Sequence, residues 1–376
     1  MNHLVQLRRT LHQFPETALE ETQTAHRILE FFRPLSPDQI FENLGGPGLA
    51  FVFEGKKPGQ RILFRCELDG LPIEDLNPSN HQSQIPGKGH LCGHDGHMAI
   101  LCGLGEKLSQ NRPESGEVVL LFQPAEETGE GAKAVISDSR FEQIRPDFAF
   151  ALHNLPGFPL HQAITREGTF AAGSTGITLI FTGKTSHAAH PEDGKNPSVA
   201  ISKLILAIPE ICRTIPGFCL ATVIQVDLGS LAFGTSAGKG SLSLTLRAFD
   251  QENLNRLIQE VTTKANSLAL DDQLDLEVRL QESFAVSKND LAATPFAMKA
   301  FANLNLVVVD KAEPFRWSED FGLFSQIAPS YLFGLGAGEK CAQLHEPTYD
   351  FPDELIETGV TIFWEIVKET CQVLET

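Results

Sequence analysis

The sequence has little positive charge and no long apolar run. Its 376 residues include 30 Lys and Arg against 48 Asp and Glu, which gives a formal net charge of -18. We therefore expect no nucleic-acid or anionic-membrane partner, since both bind to basic surfaces. No stretch approaches the ~18 consecutive apolar residues of a membrane span. The start of the chain also has no apolar signal region. These absences predict a soluble, cytoplasmic protein.

Cysteine is scarce, and its positions are irregular. The seven cysteines are odd in number and do not match a disulfide framework. Hydrophobic residues make up 42% and charged residues 21% of the chain, so it can bury a sizeable core. No repeat or low-complexity tract is present. At ~150 residues per domain, the length predicts two or three domains.

Apolar residues with helical spacing alternate with short apolar runs in the first half of the chain. The helical spacing predicts helices over residues 3–33, broken near Phe14 and Pro15, and over residues 95–108. Residues 49–53, 61–65, 118–122 and 148–152 are nearly all apolar. They predict strands buried on both faces, as in a largely parallel sheet. Strands that alternate with helices indicate a layered α/β domain.

The middle of the chain has a different order of elements. Strands are predicted over residues 176–181, 221–226, 241–248 and 274–280, with helices after Asn196-Pro197 and from about Leu254. The order β-α-β-β-α-β is the split βαβ pattern of ferredoxin-like domains. We therefore expect an inserted domain over residues 165–283. Residues 1–164 and 284–376 would form the other domain, which ends in a helix near residues 353–367.

The densest group of potential metal ligands lies in residues 90–97, at a predicted loop-to-helix junction. This segment holds three imidazoles, a thiol and a carboxylate, with Gly93 and Gly96 relieving the crowding of the turn. Thiolate and neutral imidazole are the preferred ligands of zinc-like ions. A helix cap with structural histidines is the alternative for such a cluster taken alone. The spacing of a structural zinc finger is not present.

Two adjacent glutamates, Glu126 and Glu127, follow the apolar run at residues 118–122. Open α/β sheets place ligands at this end of their strands, and two acids there are costly to bury without a cation. Neighbouring side chains cannot share a direction. One carboxylate can therefore hold an ion while the other faces a water and moves protons, as in metal-assisted hydrolysis. An exposed acidic loop is the alternative.

Two further segments carry histidines. His153 and Asn154 follow the run at residues 148–152, and His345 follows a glycine-rich stretch at residues 334–338. That stretch lacks a Gly-Lys-Ser/Thr ending, so we reject a phosphate-binding loop. A single histidine is more often structural than ligating. Four ligand-bearing segments at the ends of successive predicted elements favour a metal site.

Taken together, these motifs resemble the amidohydrolase branch of the metal-dependent aminoacylase and carboxypeptidase G-like peptidase family. That branch includes hippurate hydrolases, N-acyl-amino-acid amidohydrolases, N-acetyl-diaminopimelate deacetylases and auxin-conjugate hydrolases. The resemblance spans nearly the whole chain and implies an aminopeptidase-like, phosphorylase/hydrolase-type catalytic domain with the inserted domain. The motifs that carry it are Leu7-Arg8-Arg9-Thr10-Leu11-His12-Gln13-Phe14-Pro15-Glu16, Arg65-Cys66-Glu67-Leu68-Asp69-Gly70-Leu71-Pro72, Cys92-Gly93-His94-Asp95-Gly96-His97, Gln123-Pro124-Ala125-Glu126-Glu127, Leu152-His153-Asn154, Ser186-His187-Ala188-Ala189, Ser318-Glu319-Asp320-Phe321 and His345-Glu346-Pro347.

The resemblance implies roles for individual residues. Glu126 would be the general base. Asp69 would orient one of the metal ligands without binding the ion itself. His97 would do the same, or would cap and pack its helix. His187 would reach the reacting carbonyl, across the interface of a homodimer where the inserted domain dimerises. The implied metal ligands are Cys92, His94, Glu127, His153 and His345.

Three segments depart from the usual pattern of this branch, and one of them is residues 183–192, which replace a Gly-Gly-His version. The branch has Arg-Ala-Asp-Met-Asp-Ala-Leu-Pro at residues 65–72, so Glu67 replaces an aspartate and either reshapes the metal pocket or forms a salt bridge. Residues 246–249 stand where Val-Arg-Thr-Phe is common. Arg247 is a candidate to bind a substrate carboxylate with two hydrogen bonds, or it is an exposed strand charge. Asn154 is a second candidate for binding the substrate.

The expected activity is hydrolysis of the amide bond of an N-acyl amino acid. The cofactor would be one or two divalent ions, with zinc, manganese, nickel and cobalt all compatible with the ligand types. Glu126 would take a proton from water and pass it to the departing amine, while His187 stabilises charge on the carbonyl oxygen. The alternatives are a dipeptidase or carboxypeptidase of the same family and a non-catalytic binding protein. A thiol protease centred on Cys92 would leave the other ligand types unused.

Overall fold

The computed structural model describes residues 1–371, and the chain divides into two units. The first consists of Met1–Phe170, Ser287–Pro314 and the described residues from Asp320 onward. The second consists of Ala171–Val286 and the short segment Phe315–Glu319. Within residues 1–371, no helix has the length and apolar character needed to cross a bilayer.

The second unit interrupts the first along the chain. The first unit begins with α1 (Asn2–Gln13), α2 (Thr22–Phe32), β1 (Gln39–Leu44), β2 (Gly48–Glu54), β3 (Arg61–Glu67), α3 (His94–Gln110), β4 (Glu117–Gln123), α4 (Gly131–Ser137), β5 (Phe148–Leu155) and β6 (Ala163–Thr165). The short strand β7 (Gly168–Ala171) crosses the boundary between the two units. The second unit contains β8 (Gly173–Thr182), β9 (Ser186–His187), α5 (Ser198–Thr214), β10 (Cys219–Leu228), β11 (Thr235–Ser236), β12 (Lys239–Ala248), α6 (Gln251–Asp271) and β13 (Asp275–Phe284). The first unit resumes with β14 (Ser287–Asn289), α7 (Thr294–Asn303), β15 (Val308–Asp310), β16 (Ser330–Gly336) and α8 (Leu355–Cys371).

An eight-stranded sheet forms the centre of the first unit, in the order β1-β2-β4-β3-β5-β16-β6-β15. The pairs from β4 through β3 and β5 to β16 are parallel. The strands β3, β4, β5 and β16 are almost entirely buried, because helices and loops cover both faces. On one face, aromatic rings of the sheet pack against the helices. The ring centroids of Phe32 and Phe51 are stacked 3.9 Å apart, and those of Phe64 and Phe363 are 4.9 Å apart.

The ends of three parallel strands position the polar residues of interest. Because β3, β4 and β5 are mutually parallel, their carboxyl ends lie at one edge of the sheet. Asp69 follows β3, the Glu126-Glu127 pair follows β4, and His153 lies near the end of β5. The helix α3 begins at His94 after a turn in which Gly93 has a φ of +95°, a left-handed conformation that glycine adopts without strain.

The second unit is a four-stranded antiparallel sheet with two helices. The strand order is β10-β12-β8-β13, and α5 and α6 contribute to a shared core that includes Leu179, Leu204, Leu244 and Leu257. This is the ferredoxin-like arrangement that the sequence predicts. The edge strand β10 exposes most of its side chains, among them Ile224 and Val226.

Most predicted elements are confirmed, including the helix break near Phe14 and the four apolar strands. The largely parallel sheet is confirmed as well, although not every apolar run has parallel neighbours. Residues 49–53 are buried within β2, but β2 runs antiparallel to both of its neighbours. Burial on both faces produces an all-apolar run whatever the direction of the partner strands, so the run could not reveal that direction. The elements β16 and α7 were not predicted from the sequence.

Candidate metal centre

Side chains from four separate segments converge at the carboxyl edge of the large sheet. The ligand atoms of Cys92, His94 and His153 all lie within 4.8 Å of one another. Those of Cys92, Glu127 and His345 form a second such group. The two groups share the sulfur of Cys92, so the five predicted ligands form one continuous cluster in the first unit.

The distances within this cluster fit metal coordination. Cys92 Sγ lies 3.6 Å from His153 Nε2, and His345 Nε2 lies 3.6 Å from Glu127 Oε2. His94 Nε2 lies 3.9 Å from Glu127 Oε1. Ligands bound tetrahedrally to zinc at about 2.0–2.3 Å are roughly 3.3–3.8 Å apart. The side chains therefore stand at about the separation that one ion between them requires.

Hydrogen bonds orient two of the imidazoles toward the cluster. His94 Nδ1 lies 2.8 Å from the carbonyl oxygen of Asp69, and His153 Nδ1 lies 2.9 Å from that of Asn154. Donation by Nδ1 to a carbonyl leaves Nε2 as the ligating nitrogen, the usual arrangement of metal-binding histidines. His94 Nε2 is buried and has no hydrogen-bond partner among the described residues. A buried nitrogen in that state is costly, and a bound ion would satisfy it.

The charges around the cluster favour a cation. Burial alone would lower the pKa of His94, but the negative charges of Glu67 and Glu127 and the hydrogen bond with Asp69 raise it to about 10. These carboxylates therefore stabilise positive charge at the position of His94 Nε2. Partial burial and the charge of His94 lower the pKa of His345. His345 is thus kept in the neutral form that binds metals.

Glu126 has a rigid support behind it. Its carboxylate Oε2 lies 3.8 Å from His94 Nε2, and its side chain is almost completely buried. The preceding residue, Ala125, has a φ of +50°, which is unusual for an L-amino acid with a side chain. The buried Glu21 side chain accepts a 2.7 Å hydrogen bond from the Ala125 amide. Asp69 accepts a 2.9 Å hydrogen bond from the Glu127 amide. Both backbone bonds fix the turn that presents the glutamate pair.

A second layer of charged residues lies beneath the cluster. Glu67 accepts hydrogen bonds from Arg65 and from His97 Nδ1, the latter at 2.7 Å, and all three side chains are buried. Burial alone would raise the pKa of Glu67, but the charge of Arg65 and the hydrogen bond from His97 hold it well below its usual range. Of the two alternatives for Glu67, the structure therefore shows a salt bridge. His97 Nε2 accepts from the Asn154 amide at 3.3 Å, so both of its ring nitrogens are engaged away from the cluster.

Asn154 is fully buried in the structure. Its Nδ2 donates a 2.5 Å hydrogen bond to the hydroxyl of Tyr349. Its amide group also lies so close to Gly93 that a Cβ at Gly93 would clash with it. These contacts make Asn154 a packing partner of the loop that carries Cys92 and His94.

The remaining predicted site residues lie in the second unit. His187 is exposed on β9, and its Nδ1 accepts a 3.0 Å hydrogen bond from the Ala189 amide. Arg247 is on β12 and donates from Nη1 to the carbonyl of Arg316 at 2.9 Å and to the hydroxyl of Ser318 at 3.0 Å. The Arg247 guanidinium is thus engaged by the short segment at residues 315–319 of the same unit.

Several polar residues that support this region were not predicted from the sequence. Arg8, His12 and Asp95 form a buried ionic group next to α3, and Glu21 holds the Ala125 turn. The signal for Arg8 and His12 was their place in the motif at residues 7–16, which had no chemical interpretation. Nothing in the sequence indicated a supporting role for Glu21, because an acid at the start of a helix is ordinarily a surface cap.

Known proteins of one family are similar to most of the chain. The family model described as peptidase family M20/M25/M40 matches residues 63–369. Two curated relatives, from Lactobacillus helveticus and Exiguobacterium sibiricum, are both named N-acetyldiaminopimelate deacetylase. Each is 30% identical to this chain; the first alignment covers 96% of this chain and 95% of the relative, and the second covers 98% and 100%.

Solved structures match the fold over nearly its full length. A structure described as a putative aminohydrolase from methicillin-resistant Staphylococcus aureus has a TM-score of 0.89 at 24% identity, covering 99% of this chain and 97% of the other. A Bacillus subtilis protein described as a dinuclear metal-binding peptidase of the M20 family has a TM-score of 0.84 at 23% identity, covering 99% and 98%. At these identities the likeness establishes the fold.

Proposed function

Because the chain belongs to peptidase family M20/M25/M40, we propose that it hydrolyses the amide bond of N-acyl amino acids at the cluster around Cys92. The family and its amidohydrolase branch, predicted from the sequence motifs, are confirmed by the comparisons. The chain is accordingly a metal-dependent amidohydrolase. The observation that carries the proposed site is the convergence of five metal-ligand side chains beside a buried carboxylate, Glu126.

Cys92, His94, Glu127, His153 and His345 would hold the divalent ion or ions. The ligand atoms form two groups that share Cys92, and a matched relative is described as dinuclear, so the site would hold one or two ions. Zinc, manganese, nickel or cobalt would suit the ligand types. When bound, a divalent ion supplies a Lewis acid and lowers the pKa of water.

Glu126 is the proposed general base. Its Oε2 faces the ligand cluster, 3.8 Å from His94 Nε2, and the Ala125 turn fixes its direction. Glu126 accepts a proton from the attacking water and later delivers it to the nitrogen of the departing amine. His187 is the proposed donor to the carbonyl oxygen, where negative charge develops. Asp69 and His97 would orient the metal ligands without binding the ion themselves.

The substrate is proposed from chemistry and from the relatives. The N-acetyldiaminopimelate deacetylases act, by their name, on an acetyl group attached to a diamino acid, so N-acetylated amino acids are the first substrates to test. Arg247 is a candidate for binding the substrate carboxylate, although its guanidinium also holds the Arg316 carbonyl. Asn154 stays a candidate for substrate binding only if the buried amide becomes accessible.

A homodimer formed through the second unit is part of the same proposal. The edge strand β10 presents Val223, Ile224 and Val226 to solvent. An exposed apolar edge strand favours pairing with another chain. In such a dimer His187 would act at the site of the partner subunit. Sedimentation of the intact protein tests this, with Ile224→Lys as the variant expected to shift the protein toward the monomer.

The central test is Glu126→Ala, with Glu130→Ala as the matched control. Glu130 lies in the same loop and is exposed. Glu126→Ala should keep the bound metal measured by elemental analysis while turnover of N-acetyl amino acids falls by about 10²–10⁴-fold or more. Full activity of Glu126→Ala would refute its assignment as the base.

Substrate and chelator experiments separate the alternatives. A panel of N-acetyl-, benzoyl- and indoleacetyl-amino acids, with dipeptides beside them, tells an acylase from a dipeptidase. A thiol protease that used the Cys92–His153 pair, 3.6 Å apart, would survive EDTA. The proposed enzyme should lose activity in EDTA and regain it with a divalent ion.

A further inference from the structure

The guanidinium of Arg8 is buried between two segments that carry metal ligands. It extends from α1 and is 1% exposed. Nη1 donates to Asp350 Oδ1 at 2.5 Å and lies 3.3 Å from Asp95 Oδ2. Nε donates to Asp353 Oδ1 at 2.9 Å. One cation therefore joins three carboxylates that are far apart in the sequence.

These carboxylates belong to the segments on either side of the cluster. Asp95 directly follows His94 at the start of α3, whereas Asp350 and Asp353 lie in the loop that carries His345. The same two segments are also joined by a 2.8 Å hydrogen bond from the His345 amide to the Leu91 carbonyl. The His345 loop is thus tied to the Cys92–His94 segment at two places, by this backbone bond and through Arg8.

The backbone conformation of His345 makes the connection through Arg8 important. His345 has a φ of +66°, a left-handed conformation that is strained for a residue with a side chain. Such a conformation persists only where the surrounding structure holds it. The His345 side chain is 49% exposed, so packing around the ring cannot hold it alone. The ionic contacts of the loop with Arg8 supply part of the missing restraint.

A second buried cation fixes the other side of this group. His12, also on α1, lies with Nδ1 2.9 Å from Asp95 Oδ2 and with Nε2 3.4 Å from Asp75 Oδ2. Burial alone would lower the pKa of His12, but the charge of Asp95 raises it to about 9. Asp95 therefore meets positive charge from both Arg8 and His12, which keeps it anchored to α1.

We propose that Arg8 is a positioning residue of the metal centre, which sets the distance between His345 and the Cys92–His94 segment by joining Asp95 to Asp350 and Asp353. It contacts neither the substrate nor the ion. This inference rests on the proposed function, because it requires His345 to be a ligand. Its consequence is that α1, at the opposite end of the chain from His345, controls metal affinity at the His345 position.

The test is a Co²⁺ titration of metal-free protein, followed by the visible absorption of bound Co²⁺. Arg8→Lys keeps the charge but loses the planar fork that reaches several carboxylates at once. The matched control is Arg9→Lys, because Arg9 also lies on α1 and contacts Asp353 at 2.7 Å but is 44% exposed. His345→Ala defines which Co²⁺ equivalent depends on His345. Arg8→Lys should weaken that equivalent by about 10–100-fold, and Arg9→Lys should leave it unchanged.

The possible outcomes separate this inference from the proposed function. If His345→Ala binds Co²⁺ as the unchanged protein does, then the proposed metal centre is wrong. If His345→Ala loses an equivalent that Arg8→Lys retains at full affinity, then only the role of Arg8 is wrong. Equal weakening of every equivalent by Arg8→Lys would indicate general destabilisation and would also overturn it. Should Arg8→Lys fail to unfold cooperatively, Asp350→Asn removes one arm of the contact and carries the same expectation.

Discussion

Glu21 provides a quantitative test of the electrostatics behind the glutamate pair. Burial, and then the charge of Asp69, raise the pKa of Glu21 from 4.5 to about 7. For an acid, a raised pKa means that stability is present below the unfolded-state pKa and is lost as the pH rises through the folded-state pKa. At about 1.4 kcal/mol per pH unit, the shift corresponds to about 3 kcal/mol lost between about pH 4.5 and pH 7.

The substitution Glu21→Gln should remove this loss. Glutamine keeps an oxygen that accepts a hydrogen bond from the Ala125 amide, but it cannot ionise. Residue 21 should therefore cause no fall in the stability of the variant over this pH range. Relative to the unchanged protein, metal-free Glu21→Gln should gain up to about 3 kcal/mol in free energy of unfolding on going from pH 5 to pH 8.

Urea unfolding of metal-free protein at several pH values measures this difference. Glu20→Gln is the matched control, because Glu20 is the neighbouring acid and its side chain is 61% exposed. A stability difference between Glu21→Gln and the unchanged protein that does not vary with pH would show that Glu21 titrates normally, and the reasoning about its burial would be refuted.

Contacts around the cluster support three further predictions. Arg65→Met should lower the free energy of unfolding by about 3–5 kcal/mol, because it leaves the buried carboxylates of Glu67 and Asp320 without their cation; chemical denaturation measures this. Glu67→Gln should weaken metal binding by about 10–100-fold through loss of the charged partner of His97; calorimetric titration with zinc measures it, and unchanged affinity would contradict it. Gly93→Ala should abolish metal binding, because its φ of +95° and the contact with Asn154 exclude a Cβ; elemental analysis of the folded variant checks this.

Much of the fold could be predicted because local patterns are sufficient for it. The helical spacing over α3 and the apolar runs of β3, β4 and β5 mark buried elements whatever lies beside them. The order of elements in the second unit identified the ferredoxin-like arrangement. Strand direction was harder, as β2 shows, because an all-apolar run records burial and not the direction of the neighbouring strand.

The chemistry of the site was also partly predictable, because ligand types at strand ends are informative one by one. The role of Glu67 was left open, since a carboxylate near a metal pocket can reshape that pocket or form a salt bridge. The structure decides it by placing Arg65 and His97 against that carboxylate. Arg8 and Glu21 were beyond prediction because their partners are distant in the sequence.

Which elements form, and which chemical groups stand at their ends, follow from the amino-acid sequence alone, because secondary structure and burial depend on periodicities within a few residues. Which of those groups meet depends on how the elements pack in three dimensions. Cys92 lies near His345 because the loop after β16 folds back onto the start of α3, and Arg8 of the first helix joins the two. Contacts between residues so far apart depend on how whole elements pack around the core. No local sequence pattern reveals that packing.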